Sequence, residues 1–182
     1  GTSAKVYRLT PKAAGATSPY GLPTARPKDK AVEPASLSTA VDDLEKAVIA
    51  KYTATHAPTT MPVNDGKPDP YACISGTSQC AGDNRDALYP RTNIPFRWLE
   101  SEDDFLVVLG VDHTRTNKAT YTSATVYALD NLVGIASVTS AQWGGSARDY
   151  VTSPAADQLF AWKIARKCNG EAHCLEIPAG DC

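Results

Sequence analysis

Eleven of the thirteen prolines fall in two stretches, residues 9–35 and residues 57–95. Proline lacks an N–H donor and blocks helix interiors and central strands. Long regular elements are therefore expected only between and after these stretches, over 36–56 and from 96 onward.

In the first window, Leu37, Val41, Leu44, Val48 and Tyr52 recur at i, i+4, i+7, i+11 and i+15. That spacing draws one apolar stripe along a helix. It predicts a single packed amphipathic helix over about 38–54, with Ser36 or Ser38 as its cap.

The second window reads as β structure. "FLVVLGV" (105–111) is a short apolar run that suits a buried strand. In "YTSATVYAL", Tyr121, Ser123, Thr125 and Tyr127 alternate with Thr122, Ala124, Val126 and Ala128. "LVGIASVTS" follows a "DN" turn. Phe160, Trp162 and Ile164 alternate again, ahead of the turn pair Asn169-Gly170, which signals a hairpin. Between them, "SPAAD" starts a short helix with Ser153 as cap and Pro154 in its first position. The expected fold is α+β: an antiparallel sheet, read as a meander over about 96–178, one packed helix, and a long Pro-rich N-terminal arm. The expected organisation is an arm over 1–35 and a single disulfide-stapled domain over 36–182, which includes the long loop 57–95.

The five cysteines form two local pairs and a remainder. Cys73 and Cys80 bracket "ISGTSQ", and Cys168 and Cys174 bracket "NGEAH". Neither spacing is that of a zinc site, and no C-x-x-C redox motif occurs. Local disulfides are the expected pairing, with His173 an exposed turn residue. Cys182, the odd one, is expected to be a free thiol, to bridge a second chain, or to pair with a segment beyond this one. Disulfides belong to oxidising compartments, so a secreted, periplasmic or cell-surface location is expected. The chain opens "GTSAKVYRL", a start that suits a mature or processed end. No N-x-S/T sequon is present, which favours a bacterial origin.

The net charge is −2 and the pI about 5.9. A nucleic-acid partner is not expected, because phosphate binding needs a concentrated basic face. No apolar run approaches a membrane span. Residues 1–35 hold six basic and two acidic side chains, so the arm is basic and the body acidic. The arm is expected to lie on an acidic surface such as "WLESEDD" (98–104), or to reach a second chain or another copy.

None of the strong catalytic, phosphate-binding or EF-hand motifs is present. The densest chemistry is "GVDHTRTNK" (110–118). His113 is a candidate general base with Asp112 beside it, and Arg115 and Lys118 are candidate ligands for an anion. The same composition also makes a plain solvated turn. Asp83 and Asp86 are candidate calcium ligands by oxygen type. Trp98, Trp143 and Trp162, together with the eight tyrosines, are candidates for stacking on sugars, with Trp143, beside two glycines, the best placed of the tryptophans for exposure. The sequence leaves the cofactor unknown. The leading expectation is an exported structural or ligand-binding module, one chain of a larger assembly through its arm or Cys182. An exported hydrolase built on His113 is the alternative, and a calcium-dependent binder the third reading.

Overall fold

The structure, a computed structural model, describes residues 5–9, 12, 33–61, 63–64, 77, 89–92, 101–128 and 133–177. In chain order the elements are helix α1 (Ala35–Tyr52), strands β1 (Val63–Asn64), β2 (Arg91–Thr92), β3 (Phe105–Val111), β4 (Ser123–Tyr127) and β5 (Gly134–Thr139), then β6 (Leu159–Ala165) and β7 (Cys174–Glu176). Two short 3-10 helices, Ser146–Asp149 and Pro154–Gln158, lie between β5 and β6. The fold is α+β with one helix among the described residues.

The centre is β6, which pairs antiparallel with β3 over seven residues, from Phe105 opposite Ala165 to Val111 opposite Leu159. Alternation along these strands sends side chains to two different layers. Leu159 and Ala161, with Val107, Leu109 and Val111 of β3, face α1 and meet Leu37, Leu44 and Val48. Phe160 and Trp162 face the other way, against Val138 and Trp143. Ile164 continues that second face with Ile177, Val126 and Ile135. The result is three layers: helix, central sheet, and the β4–β5 hairpin. Gly110 lies against the Phe160 ring, where a Cβ would stand 3.4 Å away, in van der Waals contact.

The helix stripe packs as its spacing predicts, but the cap differs. Pro34 occupies the N-cap position and no side chain caps the helix. Proline's restricted φ suits a helix start, so the first turn forms directly after it. Ser153 does cap its short helix, its Oγ accepting from Ala155 N at 3.2 Å.

The order of pairing departs from a meander. β4 and β5 pair with each other, whereas β3 pairs with β6 across the intervening elements. A strand that is apolar on both faces needs cover on both, and a place in the middle layer supplies it.

The Asn-Gly turn forms, with Asn169 and Gly170 both at positive φ and Glu171 N donating to Cys168 O at 2.9 Å. No hairpin follows. β7 lies parallel to β6, Lys163 opposite Cys174 and Ala165 opposite Glu176. Parallel neighbours usually need a connection of a dozen or more residues. Here residues 166–173 suffice, because β7 is very short and the Cys168–Cys174 disulfide ties the fold-back, with Cα atoms 5.7 Å apart. Closing a loop of this size limits the unfolded chain by roughly 2 kcal/mol in chain-entropy terms.

Within the expected loop 57–95, Val63–Asn64 pairs antiparallel with Arg91–Thr92. Cys73, Cys80 and Cys182 lie outside the described residues, as do Asp83, Asp86 and Trp98.

Leu44 is fully buried at the centre of the helix–sheet layer. Leu44→Ala is expected to lower the urea-unfolding free energy by about 2–5 kcal/mol. Exposed Val63→Ala should stay within about 0.5 kcal/mol.

Candidate functional site

The segment after β3 is the turn that the sequence marks for chemistry. Asp112 N donates to Gln158 O at 2.8 Å, which extends the β3–β6 ladder by one position. This draws the Asp112 carboxylate inward, to 2% exposure. It accepts from Thr114 N at 3.0 Å and Thr114 Oγ1 at 2.6 Å, and Arg115 Nε lies 3.9 Å away. Lys118 N and Ala119 N both donate to His113 O at 2.9 Å, and Asn117 takes a left-handed φ of 59°. Short-range hydrogen bonds of this kind are what Asp, Thr and Asn contribute to turns.

Asp112 therefore does not orient His113. The His113 Nδ1 is hydrogen-bonded to Glu33 Oε1, from the residue just ahead of α1. Thr116 Oγ1 donates to the same oxygen at 2.8 Å, and Lys118 Nζ stands 3.7 Å from Glu33 Oε2. Burial works against the Glu33 charge, but the His113 and Thr116 hydrogen bonds and the Lys118 charge outweigh it, and the carboxyl is held below its ordinary 4.5. The sequence expects a basic arm on an acidic surface. The contact at the arm's C-terminal end has the opposite sense, an acidic side chain held by a basic turn. Glu102, of the acidic stretch, pairs with Lys167.

A second polar cluster lies between α1 and the sheet. Lys163, in the middle of β6, points toward the helix and is 14% exposed. Its Nζ donates to Glu171 Oε2 at 2.6 Å and rests 4.4 Å from the centre of the Phe105 ring. Tyr52 Oη donates to Glu171 Oε1 at 3.1 Å and lies 3.2 Å from Tyr150 Oη. Burial, then Tyr150 and Glu171, push the Tyr52 phenol far above its usual range, so it serves as a neutral donor. Burial opposes the charge of Glu171, yet Lys163, Tyr52 and Lys51 keep its carboxyl below the ordinary value. The one sequence signal for this cluster is a lone lysine at a buried phase of "FAWKIA". Tyr150 and Glu171 sit in turns and carry no periodic mark.

Trp143 corrects an expectation. It is 3% exposed and stacks on Phe160, with ring centroids 3.8 Å apart. The two glycines after it only turn the chain away. Trp162 is buried as well. His173 is pinned rather than free in its turn: its Nδ1 lies 2.7 Å from Asp149 Oδ2, and its ring meets Trp162 edge-on. Among the described residues, no three or more His, Cys, Asp or Glu side chains converge as metal donors. None of the described helices is long and apolar enough to cross a membrane. A cavity of about 350 Å³ between α1 and residues 151–155 is lined by Ser36, Thr39, Asp43 and Ser153, and includes none of the candidate side chains.

The chain matches no protein-family model, no curated protein and no solved structure. Its function therefore has to be read from its own side chains.

Glu33→Gln tests the clamp. A carboxyl held below its ordinary value stabilises the fold above the unfolded-state value, and that contribution is lost as pH falls through the folded-state value. Wild type should exceed Glu33→Gln by about 1 kcal/mol near pH 5 in urea titrations, a figure reduced because the partners are half exposed. The difference should be lost as pH falls from the ordinary carboxylate range through the lowered folded-state value. In the second cluster, Lys163→Ala should cost about 1–3 kcal/mol, because it strands a partly buried carboxylate. Lys167→Ala, in an exposed and solvent-screened pair, should leave the unfolding midpoint essentially unchanged.

Proposed function

We propose that the chain is a disulfide-stapled binding module of an oxidising compartment, secreted, periplasmic or cell-surface, acting by holding a ligand or partner rather than by turning over a substrate. The observation that carries this reading is the use made of the 112–118 turn. Asp112 is spent on Thr114, and His113, Thr116 and Lys118 close on Glu33 of the same chain. The groups that would run acid–base chemistry are engaged in fixing the chain's own geometry. The Cys168–Cys174 disulfide supports the oxidising compartment. Attachment to a larger assembly through the arm or Cys182 belongs to the same proposal.

One contact favours the hydrolase reading: a carboxylate at His113 Nδ1 orients an imidazole as a base, with Glu33 in the place expected of Asp112. Against it, the same carboxylate also accepts from Thr116 and faces Lys118, so the contact closes the chain's own turn. The two readings separate in a turnover screen. Wild type and His113→Ala are incubated with chromogenic esters, phosphates and glycosides and with casein. Neither protein should exceed buffer. Turnover by wild type that disappears in a folded His113→Ala would overturn the module.

A further inference from the structure

The outer layer of the molecule presents a face that neither the clamp nor the core uses. From residue 121 to residue 127 exposure alternates without a break, so Tyr121, Ser123, Thr125 and Tyr127 share the solvent side. Thr122 O accepts from Ser140 N at 2.9 Å, so the pairing with the neighbouring strand continues past Ser123 toward Tyr121. On β5, Thr139 and Ser137 stand opposite Ser123 and Thr125, and the Thr125 and Ser137 hydroxyls are 3.0 Å apart. Tyr127 stands opposite Gly134. A Cβ on that glycine would lie 3.7 Å from Tyr127 Cε1. The ring therefore leans across the gap that the missing side chain leaves, and keeps 55% of its surface exposed. Tyr121 keeps 62%.

The face is thus two aromatic rings joined by a row of hydroxyls. Tyr121 lies two residues ahead of β4, and at ~3.3 Å per extended residue the rings are roughly 20 Å apart. None of its outward positions is charged, in a chain with 38 Asp, Glu, Lys and Arg side chains. Among the described residues of this face, an anionic polymer would meet no cation and a cationic one no carboxylate. The matching ligand is neutral, long and straight, with apolar ring faces to lie on tyrosines and hydroxyls to meet hydroxyls. A flat aromatic ring offers a large contact area at small entropic cost, which suits stacking of this kind. A second copy of the chain fits less well, since a stable dimer face needs a contiguous apolar centre and this one has hydroxyls there.

We propose that the Tyr121–Tyr127 face binds a neutral, extended β-1,4-linked polysaccharide, its chain running along the strand from one ring to the other. This rests on the reading of the chain as a binding module and names its ligand class. Of the aromatic side chains that the sequence offers for stacking on sugars, it selects Tyr121 and Tyr127, whereas Trp143 and Trp162 are buried.

The test is depletion of the purified chain by microcrystalline cellulose and by chitin, two solids that share the linkage and differ in the acetamido group. Wild type should be retained on at least one. Because the face is uncharged, retention should survive about 1 M NaCl, where charge attraction is screened within ~3 Å. Tyr121→Ala and Tyr127→Ala should each weaken binding about tenfold, the loss expected of one aromatic anchor. Tyr127→Phe should retain it, and thermal midpoints should be unchanged. NMR titration of wild type with the soluble hexasaccharide of the retaining polymer reads the same site without substitution, and shifts should centre on Tyr121, Thr125 and Tyr127. The proposal is overturned by a lack of retention on both solids, by retention that salt abolishes, by a Tyr121/Tyr127 double alanine that still binds, by shifts centred elsewhere, or by sedimentation showing that the two rings hold a dimer. Absence of binding together with absence of turnover removes the polysaccharide and leaves the module. Turnover that depends on His113 removes the module itself.

Discussion

Everything in this fold depends on one strand having two buried faces. β6 is covered by α1 on one side and by the β4–β5 hairpin on the other, and its seven residues pair along their whole length with β3. Removing water from both sides of one strand lets a chain of this size assemble two apolar layers from few elements. It also explains the alternation of side chains along β6. Leu159 and Ala161 pack against the helix, whereas Phe160 and Trp162 pack on the opposite side with Val138 and Trp143.

Two part-buried charged clusters tie distant parts of the chain together. Glu33 fixes the entry to α1 against the turn that follows β3. Glu171, carried by the stapled loop, reaches back over the sheet to Lys163 and Tyr52. The disulfide and the buried pair are thus parts of one device. The staple shortens the return of the chain, and the return delivers the carboxylate that lets a lysine sit inside the core.

Much of the architecture was legible because it rests on periodicity. The helix stripe from Leu37 to Tyr52, the outward and inward sets of β4, and the alternation of β6 are all written at fixed spacing, and each packs as that spacing requires. The local pairing of Cys168 with Cys174 was legible for a similar reason, a turn pair between two close cysteines. Pairing order was not. An Asn-Gly turn states that the chain reverses, yet nothing in it says which strand it will next lie beside, and here the answer was a parallel neighbour. The candidate site was half legible. "DHTRTNK" was visible as a polar knot, but its partner lies eighty positions earlier, and no local rule links Glu33 to His113. Trp143 misled because two glycines suggest an open loop, whereas they follow a ring that has already turned inward.

The polar seam at the end of α1 has a consequence for uniqueness. Leucine, valine and alanine meeting across a helix–sheet boundary can settle in several neighbouring positions at similar energy. Tyr52 must reach Glu171 while Lys163 lies beneath, and a shift of one helical turn would leave these part-buried polar groups without each other. The seam therefore acts as an end stop. It discriminates among packings that the apolar stripe alone would leave nearly equivalent, and the helix has one place to sit.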